Sequence, residues 1–318
     1  MQSVANWLRA AVALVALSAS GHAFGFCRAT TCDPSEAECR QDKAGCFLDG
    51  LPVFWGSDCI SVSVQADGAP DAGIDYAAAR ASVERALAAW SGVDCPGGGH
   101  PSIRAELTDP VECSDSEYNP DKRNANVVMF RDKTWPYAGQ SQDVLGYTRI
   151  NFSPDTGELY DVDVELNAVA EPLAVGRLPK SNEADLDSIV THEIGHLLGL
   201  NHSLDVEATM VGGYQNGSYE LRTPASDDIA GICAIYPPDR MPMSVSCDPR
   251  HGFSSLCGAA QPAMPPVDPT TDGTGDIDKQ SRGCAMPPAP PSSPGAAPLA
   301  VLGLALFRHR RRLASAGR

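Results

Sequence analysis

The stretch His192-Glu193-Ile194-Gly195-His196-Leu197-Leu198-Gly199-Leu200-Asn201-His202 gathers three of the chain's seven histidines and one carboxylate into eleven residues. It lies in an apolar, helix-periodic run over 185–200. His192 and His196 stand one helical turn apart, so both imidazoles leave the same face and can grip one ion at ~2.0–2.1 Å. A straight helix cannot deliver a third ligand six residues further on. Gly199, free to take a positive φ, can end the helix and turn His202 back toward the first two. Neutral imidazoles suit zinc, and three protein ligands leave the fourth position open for water, as in catalytic sites. Glu193, beside the ligands, can accept a proton from that water as general base and return it to a leaving amine, while zinc steadies the developing oxyanion. The chemistry expected is hydrolysis of peptide bonds. The alternative from another class is a surface binding or adhesion module that keeps a non-catalytic zinc for stability; such sites are usually four-coordinate and closed, often with cysteine.

Outward from this stretch, Cys59 to Gln65 alternates Ile60, Val62 and Val64 with serines and reads as a strand. Ile74 to Trp90 carries apolar residues at helical spacing, followed by a Ser91-Gly92 stop. Further strands are expected at 102–107, 125–130, 145–152 and 158–166, the last after the turn Ser153-Pro154-Asp155-Thr156-Gly157. A third helix is expected over 227–236, with Ser226 as its cap and Pro237-Pro238 as its stop. The order βαββββαα predicts an α+β fold, a mixed sheet with helices packed on it.

These residues resemble the metzincin metalloproteases, and two details narrow the likeness to the matrixin branch: Ser203 after the third histidine, and Ala208-Thr209-Met210 followed by Ser226-Asp227-Asp228-Ile229-Ala230-Gly231-Ile232. The resemblance covers 59–238 and implies a zincin-like domain with a five-stranded twisted sheet and three helices. It implies that Met210 forms the hydrophobic floor beneath the zinc, with no bond to the metal. It also implies that Tyr214 and the loop to Arg222 wall the substrate pocket, and that Leu145 to Phe152 is the edge strand to which an extended peptide adds as a further antiparallel strand. The sequence departs from the family in three ways: no cysteine-switch motif precedes the domain, only His100 is available upstream in the mature region for a second zinc, and Gly212 stands where a proline is common.

The remainder of the chain sets compartment and context. With 24 Lys and Arg against 40 Asp and Glu the net charge is −16, which disfavours nucleic-acid binding. Residues 1–25, with Arg9, an apolar run and small residues near Ala23 and Gly25, read as a secretory signal peptide. Eleven cysteines without a C-x-x-C pair read as disulfides of an extracellular protein, ten of them paired once Cys284 is set aside. Cys247 with Cys257 in a small loop is one pairing, which leaves Cys233 to tie the third helix to the amino-terminal part; spacing alone does not decide the connectivity. Residues 26–58 form a Cys-rich extension stapled onto the domain at 59–238, and 239–257 a second Cys-containing extension. Residues 258–298 form a Pro/Gly-rich linker. Residues 299–318, a short apolar segment and an Arg-rich end, resemble together with Gly283-Cys284 the sorting tails of the MYXO-CTERM type, which implies that the tail is removed and the protein retained at the cell surface through the Gly-Cys site. The chain is expected to act on protein or peptide substrates as a monomer. Asp155, Asp161, Asp163 and Glu165 are candidates for calcium, but the favoured reading is a solvated acidic face beside a hairpin.

Overall fold

The computed structural model describes residues 25–257, apart from 33–36, 44 and 138–143, together with the backbone of 304–308. The segments read above as signal peptide and linker, and most of the tail, lie outside the described residues. Eight main elements follow in order: β1 (Cys59–Val64), α1 (Tyr76–Ser91), β2 (Arg104–Leu107), β3 (Val127–Arg131), β4 (Val144–Phe152), β5 (Leu159–Asn167), α2 (Leu186–Leu197) and α3 (Ser226–Ile235). This is the expected α+β order. The five long strands lie in the spatial order β4-β5-β3-β1-β2, all parallel except β4, which runs antiparallel to β5 with Thr148 opposite Val164.

Strand alternation divides the sheet into two differently filled faces. Val128 and Phe130 of β3 and Val162, Val164 and Leu166 of β5 join Val83, Leu87 and Trp90 of α1 and Ile189, Ile194 and Leu197 of α2 in the main core. Val127 and Met129 face the other way, toward Val111, Ala125 and Cys257. On that second face β5 also presents Asp161, Asp163 and Glu165. All three are buried, so the expected solvated face is corrected. Asp163 accepts from Ser116 and Val127, Asp161 from Asn151, and Glu165 from Arg131 and Tyr137. Only Asp155, in the turn, is exposed.

Both helices that flank the site begin on side-chain caps. Asp75 accepts from Ala78 N at 2.8 Å before α1, and Asp185 accepts from Ser188 N at 3.0 Å before α2. At α3 the expected cap is wrong by one residue. Ser226 is the first helical residue and Ala225 the cap position, whose N–H goes to the Asp228 carboxylate at 2.8 Å. An aspartate at the third helical position, reaching back, does the work expected of the serine.

Five disulfides join Cys27–Cys46, Cys32–Cys39, Cys59–Cys247, Cys95–Cys233 and Cys113–Cys257. The Cys247–Cys257 loop is therefore corrected. Each of these cysteines crosses instead to the sheet region, because residues 239–257 run back over it, with Ser244 bridging Ser57 and Phe253 bridging Asn124. Cys233 does tie α3 to the region after α1. Near the start of the described chain, Cys27–Arg28 pairs with Leu200–Asn201, and Gly25 and Phe26 donate to Asp227 of α3. No helix among the described residues is long and apolar enough to cross a membrane.

Candidate metal centre and cleft

Helix α2 is buried along its whole length, packed on α1 and under β4, and this fixes the direction in which its histidines point. Trp90 of α1 donates its indole N–H to Thr191 O at 2.7 Å, and Trp55 donates to Leu197 O at 2.8 Å, so the helix is pinned near both ends of the motif. Gly199 takes φ +96° and ends the helix as expected; Leu200–Asn201 then runs against Cys27–Arg28 and turns His202 back.

His192, His196 and His202 come together with ring centroids 4.7, 4.9 and 5.2 Å apart. One ligand atom from each lies within 4.8 Å of the others. The Nδ1 of His192 faces Thr209 O at 2.6 Å and that of His196 faces Leu200 O at 2.9 Å. A carbonyl only accepts, so each Nδ1 carries the proton and each Nε2 presents its lone pair inward. The Nε2 atoms of all three histidines are buried without a hydrogen-bond partner. Burial above all lowers their pKa, to about 3 for His192 and about 4 for His202, and well below the ordinary value for His196. Three neutral imidazoles with converging lone pairs fit a zinc ion, which would be held by His192, His196 and His202.

Glu193 is fully buried beside this cluster. Thr148 of β4 donates its hydroxyl to Glu193 Oε2 at 2.6 Å. Opposite the same carboxylate stands Gly146; a side chain there would overlap the Glu193 carboxyl group. Neither residue was singled out from sequence as a partner of Glu193, since both sit some 45 positions away in the chain.

Met210 is buried directly under α2. A Cβ on Gly195 would collide with the Met210 sulfur and with Trp90, so the glycine inside the motif is what lets the methionine approach. Met210 N and Thr209 N both donate to Asp228, at 3.0 and 2.6 Å, and Thr209 O in turn orients His192. Asp228 thus positions a histidine through one peptide unit, a role the sequence marked only by the Asp227-Asp228 pair. Gly212 lies against the His202 ring, where a Cβ would stand 3.2 Å from Nδ1. A larger residue there would push on the third histidine.

Tyr214 is buried, accepts from Asp185 N at 2.8 Å and donates to Ser218 O at 2.5 Å. Burial raises its phenol to about 12, so it remains a donor. It lines a cavity of about 510 Å³ together with Val206, Val211, Tyr219 and Leu221. Arg222, at the end of that loop, forks onto Asp185, the cap of α2, which couples the loop to the helix that carries the histidines.

Residues 106–237 match the family model described as Matrixin. Over 111 residues the chain is 35% identical to Metalloendoproteinase 1-MMP of Arabidopsis thaliana, covering 32% of this chain and 29% of the relative. It is 34% identical to Metalloendoproteinase 1 of Glycine max over 118 residues, 35% of this chain and 36% of the relative. Matrix metalloproteinase-16 of Homo sapiens is 31% identical over 133 residues, 40% of this chain and 21% of the relative. The chain therefore spans between about a fifth and a third of these relatives. The match and the relatives support a metzincin domain of the matrixin type, and the α+β fold agrees with it.

Proposed function

We propose that the chain is a zinc-dependent metalloendopeptidase that cuts extracellular proteins, with His192, His196 and His202 as zinc ligands and Glu193 as general base. One observation carries the reading: three buried Nε2 atoms without hydrogen-bond partners converge within 4.8 Å beside a buried carboxylate. Unpaired buried polar atoms are costly, and a cluster of them aimed at one point is explained by a ligand. Zinc supplies there a Lewis acid that polarises water and the scissile carbonyl. Glu193 takes the proton of the attacking water and passes it to the leaving amine. Thr148, bonded to Glu193 Oε2, holds the carboxylate in place and leaves the proton to be carried by the other oxygen. Met210 gives the centre an apolar floor, and the cavity lined by Tyr214 receives a substrate side chain. Calcium has no part in this reading.

The secretory reading of 1–25 and the five disulfides support an extracellular location, and the envelope-retention reading of the tail adds anchoring at the surface. Action as a monomer completes the proposal. The binding-module alternative predicts zinc without turnover. Glu193→Ala is the test: it should keep one zinc per chain and lose on the order of 10²-fold or more in peptide hydrolysis. Undiminished cleavage by that variant, measured on a fluorogenic peptide with and without chelator, would remove Glu193 from the mechanism.

A further inference from the structure

The cavity walled by Tyr214 adjoins the metal centre. Val211 and Gly213 line it, and they flank Gly212, the residue packed on the His202 ring. Part of its wall is apolar, from Val206, Val211, Tyr219 and Leu221. The polar remainder comes from Ser181 and the turn over 215–220, and its hydrogen-bond capacity is lopsided.

Tyr214 has one hydroxyl proton, and Ser218 O takes it. Asn216 spends Nδ2 on Glu171 Oε2 at 3.1 Å. A carboxylate only accepts, so this bond fixes which way round the amide stands and leaves Oδ1 as an acceptor. That Oδ1 is buried and has no hydrogen-bond partner among the described residues. Glu220 also lines the cavity, and its carboxylate makes no ion pair among the described residues. The neighbouring cations are engaged elsewhere, Arg222 on Asp185 and both Arg177 and Lys180 on Glu183. Ser181 and Gln215 can donate or accept and add no bias. What the walls leave unspent is therefore acceptor capacity and negative charge. A single unpaired oxygen does not make a site. Here it sets the polarity of a cavity that already lies beside the histidines.

A side chain that complements such walls has an apolar stem and a head that donates and carries positive charge. Leucine would meet the apolar part but leave Asn216 Oδ1 unpaired, and a site built for a hydrogen bond rejects an analogue without the donor more strongly than a pocket rejects a missing methylene. A carboxylate would face Glu220 with like charge. We propose that this cavity selects a lysine or arginine side chain, with Asn216 and Glu220 as specificity-determining residues, so that the chain cuts basic segments of its substrates. The inference rests on the endopeptidase reading and adds to it the class of substrate.

The test uses zinc-loaded full-length chain and decapeptides of Gly, Ala and Ser with one Lys, Arg, norleucine, Leu or Glu at the centre. Norleucine keeps the stem of lysine and drops the ammonium. Mass spectrometry should place the cut at one fixed distance from the central Lys or Arg. On the Lys peptide kcat/KM should exceed that on the norleucine peptide by about 30-fold, and the Glu peptide should be the poorest. Asn216→Ala should lower the Lys-to-norleucine ratio about 10-fold. Glu220→Gln should lower it about 3-fold, the smaller effect of an exposed charge, and remove its dependence on salt. Glu220→Lys should disfavour the Lys peptide and favour the Glu peptide, a reversal that a merely structural role of the turn does not produce. Zinc content and melting temperature check that each variant is folded. Affinity for the same peptides, measured by calorimetry on zinc-loaded Glu193→Gln chain, should follow the same order without turnover. Cleavage at equal rates of the Lys, norleucine and Leu peptides would overturn the selectivity and leave the endopeptidase reading intact. Tighter binding of the Lys peptide that Asn216→Ala abolishes, with no cleavage by any form, would keep the selectivity and overturn the endopeptidase. Neither cleavage nor a difference in affinity would overturn both.

Discussion

The histidine cluster under β4 and the acidic ladder on β5 are both buried, both polar and both close to the middle of the sheet, yet they are finished in opposite ways. Asp163 accepts from Ser116 Oγ, Glu117 N and Val127 N, and Glu165 accepts from Arg131 and Tyr137. Asp161 takes a bond from Asn151 at Oδ2, and its buried Oδ1 is a single atom without a hydrogen-bond partner, with no second such atom of the ladder beside it. Most of the ladder is satisfied by the protein itself, and Asp163 fastens Ser116 and Glu117 of the 111–126 loop to the sheet. The histidines spend one nitrogen each on orientation, where a partner exists, and leave Nε2 without one. Burial alone thus does not mark a ligand site. Convergent, unsatisfied lone pairs do, because native interiors otherwise pair nearly all their polar groups.

The sharpest way to break this contrast is a crossed pair of substitutions. His196→Ala should weaken zinc binding by at least about 100-fold while leaving the fold's melting temperature in chelator nearly unchanged. Asp163→Ala should do the reverse, keeping zinc but losing ~2–4 kcal/mol, because buried donors are left without an acceptor. Calorimetry in chelator together with zinc titration reads both. Loss of zinc from the aspartate variant at a temperature where it is folded would show that the two regions are not separate.

A smaller effect concerns acid. Imidazoles of ordinary pKa 6.5 would be mostly protonated at pH 5, and protons would then compete with zinc for each of three ligands, a loss of well over ~10³-fold in affinity. With His192 at about 3 and His202 at about 4, and His196 also lowered, all by burial, the folded site is already neutral at pH 5. Zinc affinity of the folded chain should therefore fall by less than about 3-fold between pH 8 and pH 5, as measured by competition with a metal buffer. The sign follows from the lowered pKa: proton competition begins only as pH drops toward 4.

The smallest effect separates a positioning residue from a bystander on α3. Asp228→Ala removes the acceptor for Thr209 N, Met210 N and Ala225 N, and should cost ~1–3 kcal/mol and weaken zinc about 10-fold through His192. Ser226→Ala, two residues away, should change stability by less than ~0.5 kcal/mol. Equal effects from the two would return the cap to the serine.

What could be read from sequence was what local periodicity and short spacing encode. The order of eight elements, the shared face of His192 and His196 and the turn at Gly199 are encoded locally, while the return of His202 also draws on the pairing of Leu200–Asn201 with Cys27–Arg28. Met210 and Tyr214 came from the resemblance; Met210 packs against Gly195 of the helix, and Tyr214 lines a cavity with Val206 and Leu221. The rest depends on contacts across the chain. Asp163 is covered by Ser116 and Glu117, 46 to 47 residues earlier, and Glu165 by Arg131 and Tyr137, whereas alternation along one strand says only that the three carboxylates share a face. The partners of Glu193 and the crossings of Cys247 and Cys257 are likewise set by sheet order, which periodicity does not contain.

Three of the disulfides enclose long stretches of chain, Cys59 to Cys247, Cys95 to Cys233 and Cys113 to Cys257. A cut at any peptide bond between 113 and 233 falls inside all three rings. The two pieces then stay joined by three covalent links, and the histidine helix cannot diffuse away from the strands that complete its site. An endopeptidase surrounded by copies of itself is exposed to such nicks, and here a nick changes the number of chain ends but not the composition of the particle. On a gel the damage becomes visible only after reduction.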